Sequence, residues 1–433
     1  MIRKIHLTEE CPIRPVTEPI RHDDQSREQV HDVRRTGSAT VGSAKRVRGT
    51  KTGVTAAFAA TALLLTGCQG ALGSGGGRNS NGPITLGMAI PTSGSSAATG
   101  PYMKNGAQLA IDEINAKGGV LGRKLKLDVQ DSACDPKTAV TAANKLVAAG
   151  VTVSVGGYCS SATLPTLSVF GKADVPMVIP AANSAELFSQ HLPNVFLING
   201  TGVQQAQAAV EWMAKQKATR VALVDDNTSY STDITKRTKA AVEAAGSGMK
   251  TVLRESVNAG ESDYSSNVDA IVSAKPDFVY WTGYYQEGGL IIRQLRQAGY
   301  HGKIMVADGN VDTKLINIAG KKNAQGVYAT MTETPDTLTS AGSWIADYKK
   351  KFGSEPGPYS LQSYDAVRVA AKAIGDAKST DGKKIESALM KIDGFSLFSG
   401  PLKFTSDHTL STGGFRILQV SDTKFTLADD LQS

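Results

Sequence analysis

The stretch KTAVTAANKLVAAGVTVSVGG, residues 137–157, decides the fold class. Its first fourteen residues are alanine-rich, spaced as one face of a helix, and end on Gly150, a helix-stop signal. The next seven, VTVSVGG, form a short apolar run closed by two glycines, the pattern of a strand buried on both faces. The same unit recurs outward in both directions. Upstream, ITLGMAI predicts a strand from Ile84, a stripe of Ala107, Ile111 and Ile114 predicts a helix ending at KGG, and KLKLDVQD predicts the next strand. Downstream come PMVIPA, a helix through Trp212, RVALVDD, a helix over 231–245, DFVYWTGY, GGLIIRQLRQAG and KIMVADG. Short strands alternating with helices predict an α/β protein with parallel-rich sheets covered by helices. About 350 residues of this pattern exceed one core, so two α/β lobes are expected.

Several of these strands run out into small or polar residues: AIPTSG (89–94), GGYCSS (156–161), IPAANS (179–184), VDDNTSY (224–230), WTGYY (281–285) and VADGN (306–310). Open α/β sheets bind ligands beyond the carboxyl ends of their strands, so two facing rims predict a cleft. At CSSAT, the start of a helix and the hydroxyls of Ser160 and Ser161 could hold a carboxylate, with a plain N-cap as the alternative. Phosphate-loop, nucleophile-elbow and closely spaced metal-ligand motifs are absent from the sequence. No enzyme, cofactor or metal is expected. His191, His301 and His408 read as surface or structural residues.

The amino-terminal region has a different character. Gly53 to Leu65 is an uncharged run of thirteen residues behind the basic cluster AKRVRGTK at 44–51, the layout of an export signal and too short for a confident bilayer span. A buried helix is the alternative. LTGC, residues 65–68, resembles a lipoprotein signal, which implies that Cys68 is acylated and anchors the protein to a membrane. Residues 1–44 are mixed in charge and poor in apolar clusters, so translation is expected to start further along, near Val47. Residues 1–67 are therefore taken as leader and signal, and 68–83, ending QGALGSGGGRNSNGP, as acylated cysteine and flexible tether. Residues 1–67 hold 11 Lys and Arg against 7 Asp and Glu, leaving 36 against 33. The chain's apparent basicity sits mostly in that leader, and no nucleic-acid partner is expected. Besides Cys11 and Cys68, only Cys134 and Cys159 remain; in an exported chain they are a candidate disulfide, with two separately buried thiols as the alternative.

DSACDPKTAVTAANKLVAAG with GGYCSSAT, together with AIDEINAKGGVLGRKL, DFVYWTGYYQEGG, NIAGKKNAQGV and GPYSLQSYDAV, resembles the leucine/isoleucine/valine-binding proteins of bacterial ABC importers, over nearly all of residues 84–420. The resemblance implies two Rossmann-like lobes joined by three crossings, the type I periplasmic binding protein architecture, with a ligand cleft between them. It places the lobes at 84–201 with 333–395 and at 202–332 with 396–433. It also implies a Cys134–Cys159 disulfide and an amino acid, branched-chain or related, held between the lobes and passed to the membrane subunits of an ABC permease by a monomeric receptor. A sensory or amide-sensing receptor on the same fold is the alternative role.

Position by position, the resemblance assigns the ligand carboxylate to Ser160, with backbone help from Ala182. Asn183 stands where the family has a threonine that contacts both ends of the amino acid. Tyr230 and Tyr284 belong to the second lobe's wall. Asp308 stands where a glutamate pairs with the ammonium, with Asp365 as a possible auxiliary for the lost methylene. Thr99 replaces an aromatic residue, which implies a smaller, more polar wall and a ligand larger or more polar than a branched-chain amino acid.

Overall fold

The computed structural model describes residues 82–246 and 248–431. The leader, the signal-like run, Cys68 and all but the last two residues of the expected tether lie outside the described residues. Among the described residues no helix is long and apolar enough to cross a membrane.

Strands β1 (Ile84–Ile90), β2 (Leu125–Asp131), β3 (Val153–Ser154), β4 (Met177–Ile179) and β5 (Val195–Leu197) form a parallel sheet in the order β2-β1-β3-β4-β5. After them come β6 (Arg220–Asp225), β7 (Lys250–Ser256), β8 (Phe278–Trp281), β9 (Lys303–Val306) and β10 (Tyr328–Met331). A separate hairpin, β11 (Asp393–Leu397) with β12 (Gly400–Lys403), precedes β13 (Arg416–Ser421) and β14 (Lys424–Asp429). The second sheet runs β14-β13-β10-β9-β8-β6-β7, parallel from β7 to β10 and antiparallel where β13 and β14 extend it. Every residue of β8 is buried, and all of β1 except Thr85, as expected of strands covered on both faces.

The helix predicted over 137–150 spans Pro136–Ala148. Asp135 starts it by accepting the Thr138 N–H at 2.7 Å, with proline at the first helical position. The strand predicted over 151–157 is shorter, with only Val153–Ser154 in the ladder. The chain leaves the sheet at the two glycines: a Cβ on Gly156 would lie 2.6 Å from the Ala89 nitrogen, and Gly157 has φ +109°.

Two long helices, Thr99–Ala116 and Ser360–Ala377, pack together beside the first sheet. They approach so closely at Gly106 that a Cβ there would sit 2.1 Å from the Ser360 carbonyl oxygen. Their contact fixes the start of the second helix, and Tyr359 immediately ahead of it, at the sheet's rim. Tyr359 has φ +63°, a conformation a bulky aromatic residue seldom adopts.

The last switch between sheets comes later than the expected 395/396 boundary. Phe398 packs edge-on to Trp344 and against Tyr364 of the long second helix, Phe404 and His408 pack on Phe196 of β5, and the Leu197 N–H donates to the His408 carbonyl at 2.9 Å. Aromatic burial therefore keeps residues 396–410 with the first sheet, and only then does the chain pass to β13.

Candidate ligand site

Most of the rim residues follow the end of a strand. β1 leads to Thr99, β3 to Tyr158 and Ser160, and β4 to Ala182 and Asn183; β6 leads to Tyr230, β8 to Tyr284 and β9 to Asp308. A disulfide between Cys134 and Cys159, Cα to Cα 5.4 Å, ties the loop after β2 to the loop carrying Tyr158 and Ser160. The two rims touch: Tyr285 Oη donates to the Ser95 carbonyl, and the Ala185 N–H to Asp233 Oδ2 at 3.1 Å.

Asp308, 3% exposed, is the centre of the site. Its Oδ1 accepts from Gln205 Nε2 at 2.7 Å and from the Tyr230 hydroxyl, and its Oδ2 accepts from the Tyr359 hydroxyl. Burial pushes its carboxyl above the usual carboxylate range, and the three donors recover only part of that cost. No cationic side chain pairs with it among the described residues. Burial also raises the phenols of Tyr230, Tyr284 and Tyr359 well above their ordinary value, so all three stay neutral donors. With Tyr158 they form a cage: Tyr158 lies 6.1 Å from Tyr284 and 5.5 Å from Tyr359, and Tyr230 lies 5.2 Å from Tyr284, ring centre to ring centre. The space enclosed with Ala181 and Asp308 is about 10 Å³, room for roughly one water.

Across the cleft, Ser160 Oγ accepts the N–H groups of Asn183 and Ser184, both at 3.2 Å. Its own proton has no acceptor among the described residues, so the hydroxyl is oriented to donate. The helix behind it is a single turn, Ser160–Thr163. The Ala182 N–H is engaged by the Gly157 carbonyl at 3.1 Å. Thr99 is buried, and its side chain offsets a little of the rise that burial imposes on the Tyr158 phenol.

Asp365 is not brought to this cluster. It lies in the helix Ser360–Ala377, paired with Arg368 at 2.6 Å and accepting the Phe398 N–H at 2.8 Å. Its oxygens are occupied in joining that helix to the β11–β12 hairpin.

Three members of the network were not singled out from sequence: Tyr158, Tyr359 and Gln205. The first two stand inside the motifs GGYCSSAT and GPYSLQSYDAV, and a tyrosine directly after Gly-Pro and before a helix was a usable signal for Tyr359. Gln205 sits one turn into the helix Gly202–Lys215, whose start is fixed by a reciprocal Thr201–Gln204 cap. Nothing in its local sequence marks it.

A cleft lined by strand ends of two parallel-rich sheets, with a cation-seeking carboxylate on one rim and a free hydroxyl proton on the other, suits a small zwitterion. Residues 83–424 match the family described as periplasmic binding protein. The chain belongs to that family. A Leu/Ile/Val-binding protein of Rhizobium johnstonii is 36% identical over 325 residues, 71% of this chain and 86% of the relative. A leucine-, isoleucine-, valine-, threonine- and alanine-binding protein of Pseudomonas aeruginosa is 33% identical over 337 residues, 78% of this chain and 89% of the relative. Among solved structures, a branched-chain amino acid transporter substrate-binding protein of Streptococcus pneumoniae in complex with isoleucine aligns with a TM-score of 0.73 at 26% identity, covering 80% of this chain and 99% of that one. For this periplasmic binding protein the two sheets are therefore the cores of a type I fold.

Proposed function

We propose that this periplasmic binding protein captures an amino acid between two lobes and presents it to the membrane subunits of an ABC permease. The observation that carries the proposal is Asp308, a buried carboxylate served only by neutral donors. A carboxylate has about four acceptor positions, and three are filled, which leaves one on Oδ2 for an ammonium. Leaving a buried charge without a counter-ion costs several kcal/mol, so a ligand cation gains what the protein does not supply. The Ser160 proton then serves the ligand carboxylate, and the tyrosines supply wall area and hydroxyls. The lobes are assigned as residues 84–201 with 333–412, and 202–332 with 413–431, joined near Gly200, Glu333 and Gly413. Ligand contacts made by both rims favour the closed arrangement.

The relatives' names include branched-chain amino acids, threonine and alanine, and we place the ligand of this chain among amino acids of that kind. We place the protein on the extracytoplasmic face of the membrane, tethered through an acylated Cys68, on the strength of the LTGC motif. Calorimetry against a panel of polar, aromatic, small and branched amino acids tests the central assignment; saturable binding of at least one is expected, and none for any member overturns it. For the anchor, the intact mass of detergent-extracted protein is expected to carry acyl chains that Cys68→Ser removes.

A further inference from the structure

We propose that Gln205 is a specificity-determining positioning residue, which holds the Asn183 carboxamide with its oxygen turned toward the ligand and so makes the site demand an N–H donor there. The proposal rests on the amino-acid reading of the cleft. Its basis is a hydrogen-bond chain with only one consistent polarity. Asp308, when ionised, accepts and cannot donate, so Gln205 must face it with its NH2 group, at 2.7 Å. The same nitrogen reaches Thr330 Oγ1 at 3.0 Å. Gln205 Oε1 is thereby turned the other way, where it accepts from Asn183 Nδ2 at 2.9 Å. Asn183 is left with Oδ1 as its unpartnered group.

That oxygen is buried, with no hydrogen-bond partner among the described residues, and Asn183 itself is 0% exposed. A buried acceptor without a donor is costly, so the site favours whatever brings one. Asn183 cannot relieve the cost by moving. Its N–H is held by Ser160 Oγ at 3.2 Å and its carbonyl by the Gly202 N–H at 2.9 Å. It cannot relieve it by turning its side chain over either, since its nitrogen would then leave Gln205 Oε1 facing an oxygen. The charge on Asp308 is in this way transmitted through two neutral amides to a second point on the ligand. The chain also crosses between lobes, from Asn183 after β4 to Gln205 and Asp308 on the other side.

The test compares Gln205→Met, similar in length but without donor or acceptor, with the native protein. The probes are L-alanine with pyruvate and L-leucine with 4-methyl-2-oxopentanoate, in each pair an N–H donor replaced by an acceptor. Freed from Gln205, Asn183 can offer either end, and the preference for the amino acid over the 2-oxo acid is expected to fall by about tenfold, the worth of roughly one hydrogen bond. A merely structural role for Gln205 would weaken both probes together and keep their ratio, and a role confined to its bond with Asp308 would lower the ratio equally when Asn183 is already replaced by alanine; an unchanged ratio, or an equal fall in the Asn183→Ala background, overturns the proposal. Gln205→Leu, which likewise offers neither donor nor acceptor, is expected to shift the ratio in the same direction and serves if the methionine variant does not fold. If no amino acid binds the native protein, the amino-acid reading fails separately, and the relay is judged without ligand. In that case the Asn183 side-chain amide protons, followed by NMR hydrogen exchange, are expected to lose protection in Gln205→Met, and unchanged protection overturns the relay itself.

Discussion

Asp308 and Asp365 are equally buried, at 3% exposure, and burial raises the carboxyls of both, that of Asp365 to about 6. Their partners differ in kind. Asp365 has Arg368 beside it, and that guanidinium also lies over the rings of Tyr364 and Phe395, 5.5 and 4.9 Å from their centres. Asp308 has two phenols and a carboxamide. Burial and a raised pKa are shared, so neither marks a ligand site alone. What separates the two is whether the protein has supplied the counter-charge. Where it has, the pair joins a helix to a hairpin; where none is found among the described residues, the charge is the one proposed to meet a ligand.

The largest effects should fall where this contrast is cut. Asp308→Asn is expected to weaken amino-acid binding by about 2 to 5 kcal/mol, since it removes one partner of a buried charge pair. Asp365→Asn is expected to leave affinity unchanged in the same calorimetric titration and to lower thermal stability by about 1.5 to 3 kcal/mol, the usual worth of hydrogen bonds to a charged group. Equal losses of affinity in the two variants would erase the distinction.

Acidity sharpens it with opposite signs. A carboxyl whose folded pKa is raised adds stability that is fully present below its unfolded value and is lost as pH rises through its folded one. For Asp365 that loss is centred near 6. Acidification should therefore favour the empty fold through both aspartates, while the ammonium site proposed at Asp308 should fade as its carboxylate takes up a proton. Melting curves of native protein and each variant across pH measure the first effect, and calorimetry measures the second. Affinity that holds steady through the protonation of Asp308 would contradict its role.

Reduction of Cys134–Cys159 probes the two rims, since the disulfide braces only the one carrying Tyr158 and Ser160. Alkylation without reduction should leave both cysteines protected in an intact-mass spectrum, and reduction should cost about 3 kcal/mol by the chain-entropy relation for a loop of this length. Hydrogen exchange should rise near β3 before it rises near β8. Smaller again, Ser160→Ala should cost about 1 kcal/mol of affinity, one neutral hydrogen bond. Substitutions at Thr99, which reaches the cage through Tyr158, should mainly reorder an amino-acid panel.

The sheet-and-helix alternation was legible because most of the parallel strands are short apolar runs, as at β1, β4 and β8, and several helices start on a side-chain cap, as at Asp135 and Thr201. The last crossing was not, because residues 396–410 are held to the first sheet by Phe398, Phe404 and His408, contacts with partners far away in sequence. The same division runs through the site. Ser160, Tyr230, Tyr284 and Asp308 stand at strand ends and were named from the sequence; the structure brings them to the rims of one cleft. Gln205 lies one turn into a helix with nothing in its local sequence to mark it, and Tyr359 reaches the cleft through the packing of two helices at Gly106, with the preceding Gly-Pro as its one local signal. Asp365, named beside them, is carried away by Arg368, a neighbour only three residues on.

The central claim is that Asp308 is the counter-ion of the ligand's ammonium, and carboxyl NMR of aspartate-labelled protein tests it most directly. With the tightest-binding amino acid of the panel at saturation, the Asp308 titration midpoint should fall, because an adjacent cation favours the charged form, while that of Asp365 stays near 6. A midpoint for Asp308 that does not move on saturation, or one for Asp365 that falls in its place, would contradict the account.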